Sequence, residues 1–335
     1  MSEDHNKSKK SESDKQYIDP EILNEDQFCN LHGHSTYSIG DAVGHASEIV
    51  EFVLENQMSE VAITDHGNMN VVGDFYLQYK KLKKKGRDFK FIAGNEFYFH
   101  PDLKQWEKDR EEKRSRKKKN KNKEAESASV AEDESESKKY ISDPVRRRHH
   151  LVLLAQNSTG LKNLFRLNSF AHKEGFYYKP RIDFPLLEKF SEGVVCTSAC
   201  LAGIFSYEMM KGWQEGLSEK EVLANMEEHA GRFDRIFNRD KNGAPRFFLE
   251  IQFNEVEIGG RMAQHELNEY LVKLHRKLDI PLVAAADYHY PRKELWKARE
   301  IIKFTAQKNV ELHNSIEELD CELYPKNARQ MIEAY

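Results

Sequence analysis

The chain has 335 residues, 39% of them hydrophobic and 11% aromatic, which is enough for one large domain or two small ones. Its 52 Lys and Arg against 56 Asp and Glu leave a net charge of -4, so no global attraction to nucleic acid exists and any polyanion site must be local. Nothing approaches the roughly 18 consecutive apolar residues of a membrane span. The four cysteines, Cys29, Cys196, Cys200 and Cys321, are too few for a disulfide scaffold in a chain this long and point to a reducing, cytoplasmic setting.

Residues 1–27 are polar, contain no apolar h-region of a signal peptide, and read as a disordered N-terminal extension. The folded part begins with a strand at Phe28–Leu31 and a helix around Ala46–Asn56. A strand at Val61–Thr64, a helix at Asn70–Lys84 with a basic end, and a strand at Phe89–Phe99 follow. Beyond an interruption come a strand at Leu151–Ala155 and a helix capped by Ser158 that runs toward Ala171. Then come strands at Val194–Ser198 and Phe247–Ile251 separated by a helix over Glu219–Phe237, a helix at Arg261–Leu278, a strand at Leu282–Ala286 and a helix at Leu295–Ala306. Repeated βα units imply an α/β fold with a mostly parallel sheet, open or closed into a barrel.

The interruption, 101–147, is low in complexity. KDREEKRSRKKKNKNKE is basic and AESASVAEDESESKK is acidic, and neither can bury enough apolar surface to fold alone. It reads as a disordered, solvated surface insertion, or as a basic finger toward DNA or a partner screened by its own acidic half. With no crossover element between Phe99 and Leu151, the flanking strands should pair antiparallel. That turn would carry His150, at a strand start, to the place where other strands end.

Those strand ends collect unusual residues. His32 and His34 follow the first strand as His-x-His, a spacing that puts both imidazoles on one side of an extended backbone. Asp41 lies in the loop beyond and His66 follows the second strand in TDHG. Glu96 lies in GNEFYF, Cys200 follows VVCTSAC, and Asp287 and His289 lie in AADYHY. Taken singly each has an ordinary reading. A lone His is a satisfied or exposed side chain, Cys200 a small buried hydrophobe, Asp287 a helix cap, and Asp65 a support that orients His66. Cys196, inside an apolar run, reads as buried. Jointly, with His150, nine metal-competent residues gather at the strand termini where barrel sites form. Nine are too many for one tetrahedral ion and suit two or three ions sharing a bridging carboxylate.

The strings LHGHSTYSIGD, ITDHGN, IAGNEFY, HHLVLLAQNSTGLKNLFRL, GFYYKPRID, FFLEIQ and AADYHY resemble the PHP (polymerase and histidinol phosphatase) domain. The version resembled is the one at the N-terminus of the bacterial DNA polymerase III alpha subunit. The resemblance runs from about Phe28 onward, excluding the insertion. LYPKNARQMIEAY resembles the segment after the PHP domain in that polymerase. It implies a PHP domain over 28–310 and the start of a polymerase-like linker over 311–335. It implies a distorted seven-stranded (β/α) barrel and a trinuclear centre. One ion would be held by His32, His34, Glu96 and Asp287. A second would be shared through Glu96 with His150 and Cys200, and a third held by Asp41, His66 and His289. The donor set suits Zn, Mn or Fe as divalent ions.

Clustered divalent ions favour phosphoester hydrolysis, by lowering the pKa of a bound water and by stabilising charge on phosphate oxygens. Asp41, His66 and His289 are the catalytic candidates, with His66 or His289 protonating the leaving group. Arg148, in Arg146–Arg148, together with Lys179 and Arg181 would contact phosphate, or simply form a solvated charged surface. Tyr177 and Tyr178 either pack in the core or stack on an unpaired base.

The resemblance implies a 3′–5′ exonuclease acting on single-stranded DNA 3′ ends in replication and proofreading. No palm domain or PDxDxDF-like motif is found, so no polymerase activity is expected from this chain. It reads as a stand-alone enzyme, a piece of a split polymerase or a truncated product. Two alternatives stand beside the enzyme. One is a non-catalytic module whose exposed C-terminal segment docks on a polymerase core or another replisome protein. The other is a small-molecule phosphatase, disfavoured by the polymerase-like strings.

Overall fold

The computed structural model describes residues 28–121, 143–306 and 322–335. The N-terminal extension 1–27, the middle of the charged insertion, residues 307–321 and with them Cys321 lie outside the described residues. The fold is mixed α/β around one curled sheet. Helix α1 (Ala46–Glu55) leads to β1 (Glu60–Ile63), α2 (Val72–Lys84) and β2 (Lys90–Phe99). After α3 (Leu103–Lys121) come β3 (His149–Ala155), α4 (Ser158–Lys173), the hairpin β4 (Phe176–Tyr177) and β5 (Lys179–Ile182), and α5 (Phe184–Phe190). Then follow β6 (Val194–Thr197), α6 (Ile204–Glu215), α7 (Glu219–Ile236), β7 (Phe247–Ile251), and a small hairpin of β8 (Glu257–Ile258) and β9 (Arg261–Met262). The chain continues through α8 (Ala263–Leu278), β10 (Leu282–Ala284), α9 (Trp296–Ala306) and α10 (Ala328–Ala334).

The ladder runs β10-β7-β6-β3-β2-β5-β4, with β1 also beside β2. Most neighbours are parallel, as βα units require. The exceptions are β3, antiparallel to both β2 and β6, and β4, the antiparallel hairpin partner of β5. The antiparallel pairing of β2 with β3 is as expected, but not for want of an intervening element, since α3 lies between them without acting as a crossover. His150 pairs with Tyr98, and Glu96 with Val152, so His150 and Glu96 lie on one face of adjacent strands. The run Phe28–Leu31 forms no ladder. Residues 30–33 instead make single bridges, Asn30 to Val61 and Gly33 to Tyr288. Among the described residues the ladders therefore do not close into a seven-stranded ring.

The larger core lies between the sheet and α4–α8 and includes Phe97, Phe99, Leu164, Leu167, Phe205, Phe233, Phe247 and Leu271. A second, under α1 and α2, includes Ile49, Val53, Ile63, Phe75 and Tyr288. Helix α1 buries Ala46, Ile49, Val50 and Val53, the i, i+3, i+4, i+7 stripe of an amphipathic helix. Helix α4 is capped not by Ser158 but by Asn157, whose extended backbone lets its side chain accept from Thr159 N and Gly160 N. The hairpin β4–β5 and helices α5 and α6 had no distinct periodic signal in the sequence.

Two expectations are corrected. The insertion is not disordered from its start, because Leu103–Lys121 is helical. Trp106 is buried, its Nε1 donates to Val145 O at 3.1 Å, and the Arg110 and Arg181 guanidinium groups each lie 4.9 Å from its ring. One anchored indole supplies what the average composition lacks. Nor is the end of the chain exposed throughout, although Ile332 and Tyr335 are. Leu323, Tyr324 and Lys326 are buried, and Asn30 Nδ2 donates to Lys326 O at 2.8 Å. Among the described residues no helix is long and apolar enough to cross a membrane.

Candidate metal centre

The site is built where residues 30–34 run between β1 and Tyr288. Gly33 is the pivot of His-Gly-His. A Cβ there would sit 1.9 Å from the Tyr288 ring, so only glycine lets this backbone lie against the aromatic face. His32 and His34 then point the same way. His32 Nε2 lies 3.2 Å from Glu96 Oε1 and 3.3 Å from Asp287 Oδ1. His34 Nε2 lies 3.5 Å from Glu96 Oε2 and 3.2 Å from Asp287 Oδ1. Asp287 (φ 50°) is left-handed, as is Ala199 (φ 58°) just before Cys200. Such strain in non-glycine residues concentrates at functional sites.

The other candidates gather around this group. His150 Nδ1 is 2.8 Å from Glu96 Oε1, and Cys200 Sγ is 3.7 Å from both of those atoms. His66 Nδ1 is in close contact with Glu96 Oε2, while its Nε2 faces Asp41 Oδ2 at 3.1 Å. His289 Nε2 lies 3.5 Å from the same Asp41 oxygen, and its Nδ1 bonds its own neighbour's carbonyl, Asp287 O, at 2.7 Å. All nine residues expected at the centre are thus brought together. Three sets offer converging ligand atoms: His32, His34 and Glu96; His66, Glu96 and His150; and His34, His66 and His289. His66 serves two of the sets.

Fit to metal ions is tested by what these atoms lack. His32 Nε2, His34 Nε2, His66 Nδ1, Glu96 Oε2 and Asp287 Oδ1 are all buried with no hydrogen-bond partner. Such orphans are costly in a protein interior unless an unshown ion or water satisfies them. Five of them aimed at one volume fit cations. Every orphan is an imidazole nitrogen or a carboxylate oxygen, the donor chemistry of borderline divalent ions.

Of the residues that support these ligands, only Asp65 was visible in the sequence. Glu250, on β7, holds His32 Nδ1 at 2.7 Å and in turn accepts from Gln252 Nε2 at 2.9 Å and from Thr197 Oγ1. This carboxylate–imidazole pair fixes the ring and leaves Nε2 turned inward. His34 Nδ1 is held by Ser38 Oγ at 2.9 Å, and Ser38 Oγ donates to Asp65 Oδ1 at 2.7 Å. Asp65 also accepts from Ser35 N and Ser35 Oγ, both at 2.7 Å, so it orients the His34 loop rather than His66 directly. On the outer side Arg299, from α9, donates to Asp41 Oδ1 and Asp41 O, each at 2.8 Å.

Charge in the ion-free cluster is self-compensating. Burial opposes charge on His66, but the Glu96 and Asp41 carboxylates overcome it and raise its pKa to about 10. Burial likewise opposes charge on His32, yet Asp287, Glu250 and Glu96 push it well above the usual imidazole range. Burial, reinforced by His66 and His289, drives His34 down to about 3. Against the cost of burial, the surrounding imidazoles hold Glu96, Asp287 and Asp41 well below the usual carboxylate range, with Arg299 contributing at Asp41. Burial, then Glu96 and Asp287, push the Cys200 thiol up.

A cleft of about 780 Å³ opens onto this cluster, walled by Ile39, Asp41, His66, Tyr98, Arg148, His150, Lys179 and Lys303 among others. Arg148 and Lys179 therefore stand on the wall of this cleft. Arg181 does not, and its expected phosphate role is corrected. It is buried, and its guanidinium donates to Arg147 O at 3.0 Å and to Tyr177 O and Lys179 O at 2.9 Å. With Val145 O at 3.5 Å, these carbonyls take four of its five N–H donors.

Comparison with known proteins places this geometry in context. The family model of the PHP domain matches residues 30–254. The DNA polymerase III subunit alpha of Borreliella burgdorferi is 34% identical over 316 residues, covering 92% of this chain and 22% of that protein. The same subunit of Aquifex aeolicus is 34% identical over 263 residues, covering 78% and 18%. That of Treponema pallidum is 30% identical over 309 residues, covering 92% and 22%. The chain thus spans about a fifth of the length of these curated relatives. A solved structure from Bifidobacterium adolescentis, described as a "putative metal-dependent phosphoesterase", covers 78% of this chain and 87% of its own at 10% identity and a TM-score of 0.38, too remote to bear on function.

Proposed function

The chain belongs to the PHP domain family, and on that footing we propose that it is a metal-dependent phosphoester hydrolase acting as a 3′–5′ exonuclease on DNA ends. The observation that carries the hydrolase reading is the set of five orphaned, buried ligand atoms at the foot of an open cleft. His32, His34, Glu96 and Asp287 would hold one ion, Glu96 with His150 and Cys200 a second, and Asp41, His66 and His289 a third. Bound divalent ions of the Zn, Mn or Fe kind would supply a water acidic enough to attack phosphorus and charge to stabilise the phosphate oxygens. Lys179 and Arg148, on the cleft wall, would orient the phosphate. Glu250 and the Ser38–Asp65 relay hold His32 and His34 in one tautomer, so the inner set needs no rearrangement. Asp41 Oδ2 faces both His66 Nε2 and His289 Nε2, so whichever of the two rings does not ligate the third ion would supply the proton for the leaving oxygen. The exonuclease, and a place beside a polymerase core or other replisome protein, rest on kinship with the polymerase subunits.

The test is direct. Purified protein with Mn²⁺ or Zn²⁺ is given single-stranded DNA labelled at either end and a small phosphomonoester. Stepwise loss from the 3′ end is expected, with little turnover of the monoester. Failure to cleave either substrate while metal is bound would leave a non-catalytic module docked on a polymerase. Cleavage that survives His34→Ala combined with Asp287→Ala would belong to a contaminant.

A further inference from the structure

Tyr178 was expected either in the core or on a base, and the structure removes the first option. Its side chain is 82% exposed. In the β4–β5 hairpin Phe176 pairs with Pro180 and Tyr177 with Lys179, so Tyr178 alone forms the tip. Its φ is 60°, in the left-handed region that tight turns normally give to Gly, Asn or Asp. A bulky aromatic here meets a conformational cost without gaining burial.

The surroundings hold that cost in place. Arg181 ties the carbonyls on either side of the tip, Tyr177 O and Lys179 O, to one guanidinium nitrogen at 2.9 Å each. The Tyr178 ring meets Tyr177 edge-on at 4.7 Å, and Tyr177 backs at 6.4 Å onto the buried Trp106. One residue further on, Lys179 lies on the cleft wall, its Nζ 5.2 Å from the Tyr98 ring, which itself stands 5.3 Å from His150. A braced, solvent-facing aromatic is therefore coupled to a cation at the mouth of the candidate metal centre. Cation plus aromatic is how single strands are held, phosphate on the one and base on the other.

We infer that Tyr178 is a stacking platform for an unpaired base of a nucleic-acid strand whose end lies in the cleft, with Lys179 on the adjoining phosphate. This rests on the hydrolase reading for the cleft and adds a specificity-determining contact outside the metal cluster.

The experiment uses the full chain and three variants, Tyr178→Ala, Tyr178→Phe and Tyr178→Gly. Oligo-dT binding is read by fluorescence anisotropy in EDTA, where no hydrolysis intervenes. KM and kcat are read with Mn²⁺ on oligo-dT and on bis(p-nitrophenyl) phosphate, which has no base. Loss of the ring should raise Kd and KM for oligo-dT about 5- to 150-fold, the worth of one stacked base. The Phe variant should keep wild-type values, and bis(p-nitrophenyl) phosphate turnover should not change. Tyr178→Gly should raise the denaturation midpoint while losing oligonucleotide affinity, because glycine relieves the backbone cost. Unchanged oligonucleotide affinity in Tyr178→Ala overturns the inference and leaves the ring to a protein partner. Equal losses on both substrates, or a lowered midpoint in Tyr178→Gly, also overturn it by making Tyr178 structural. If nothing is hydrolysed but EDTA binding still depends on the ring, the hydrolase reading fails and the platform stands.

Discussion

The inner and outer halves of the cluster solve the same problem in different ways. His32, His34, Glu96 and Asp287 are buried, and four of their inward atoms have no hydrogen-bond partner. Their outward atoms are held by Glu250 and Ser38. Asp41, by contrast, is about a third exposed, and its two carboxylate oxygens face Arg299 on one side and the His66 and His289 rings on the other. The inner half leaves four ligand atoms for an ion to satisfy. The outer half leaves one, His66 Nδ1, and its other charges face protein partners. Preorganised, desolvated ligands should bind tightly, and ligands with competing partners should exchange.

The strongest way to break this contrast is at the residue the halves share. Glu96→Ala should cost about 10³-fold in kcat, since it removes the carboxylate common to two ligand sets and with it several kcal/mol of charge stabilisation. Elemental analysis should show the bound metal falling with it; full metal content would argue against a bridging role. Next, Asp287→Asn and Asp41→Asn should differ. A chelator titration of wild type should remove ions in two stages. Asp287→Asn should abolish the tighter stage and Asp41→Asn only the weaker. Identical titrations for both variants would erase the inner–outer distinction.

Outer support should matter less than direct ligation. Glu250→Gln keeps an acceptor near His32 Nδ1 but loses its charge, and should weaken the tight stage about 10- to 100-fold. pH should act with a definite sign. The ion-free pKa of His66 is raised to about 10, so below that value its proton must leave before a metal can bind. Affinity should therefore rise with pH up to about 10, by no more than about tenfold per unit for each proton released. Calorimetry in buffers of different ionisation heat should register that release. The smallest effect on the centre is expected far from both halves. Trp106→Ala should loosen α3, at about 3–5 kcal/mol for a buried aromatic, and leave metal content unchanged.

The candidate ligands were readable because each lies at the end of a short, locally recognisable run. His-x-His reports its own geometry; the antiparallel β3 that brings His150 beside Glu96 was expected on the premise of no helix before Leu151, and it holds although α3 intervenes. Averaging misled at the insertion, where one tryptophan among many charges anchors a helix, and at Arg181, where residue type suggested phosphate and burial assigned backbone carbonyls. The run Phe28–Leu31 looked like a strand but makes only isolated bridges, since its partners approach it at single points.

By itself the sequence determined which residues could carry the chemistry and that they would meet, because ligand type, strand ends and turn direction are local properties. Tertiary structure alone decided how each ligand is held. His32 and Glu250 are 218 residues apart, and Arg299 and Asp41 are 258 apart. No local period announces such pairs; they exist only once burial leaves each charge with nowhere else to turn. The same folding exposed Tyr178, a residue whose pattern suited the core and whose backbone, stapled by Arg181, turns it outward one residue before Lys179 of the cleft wall.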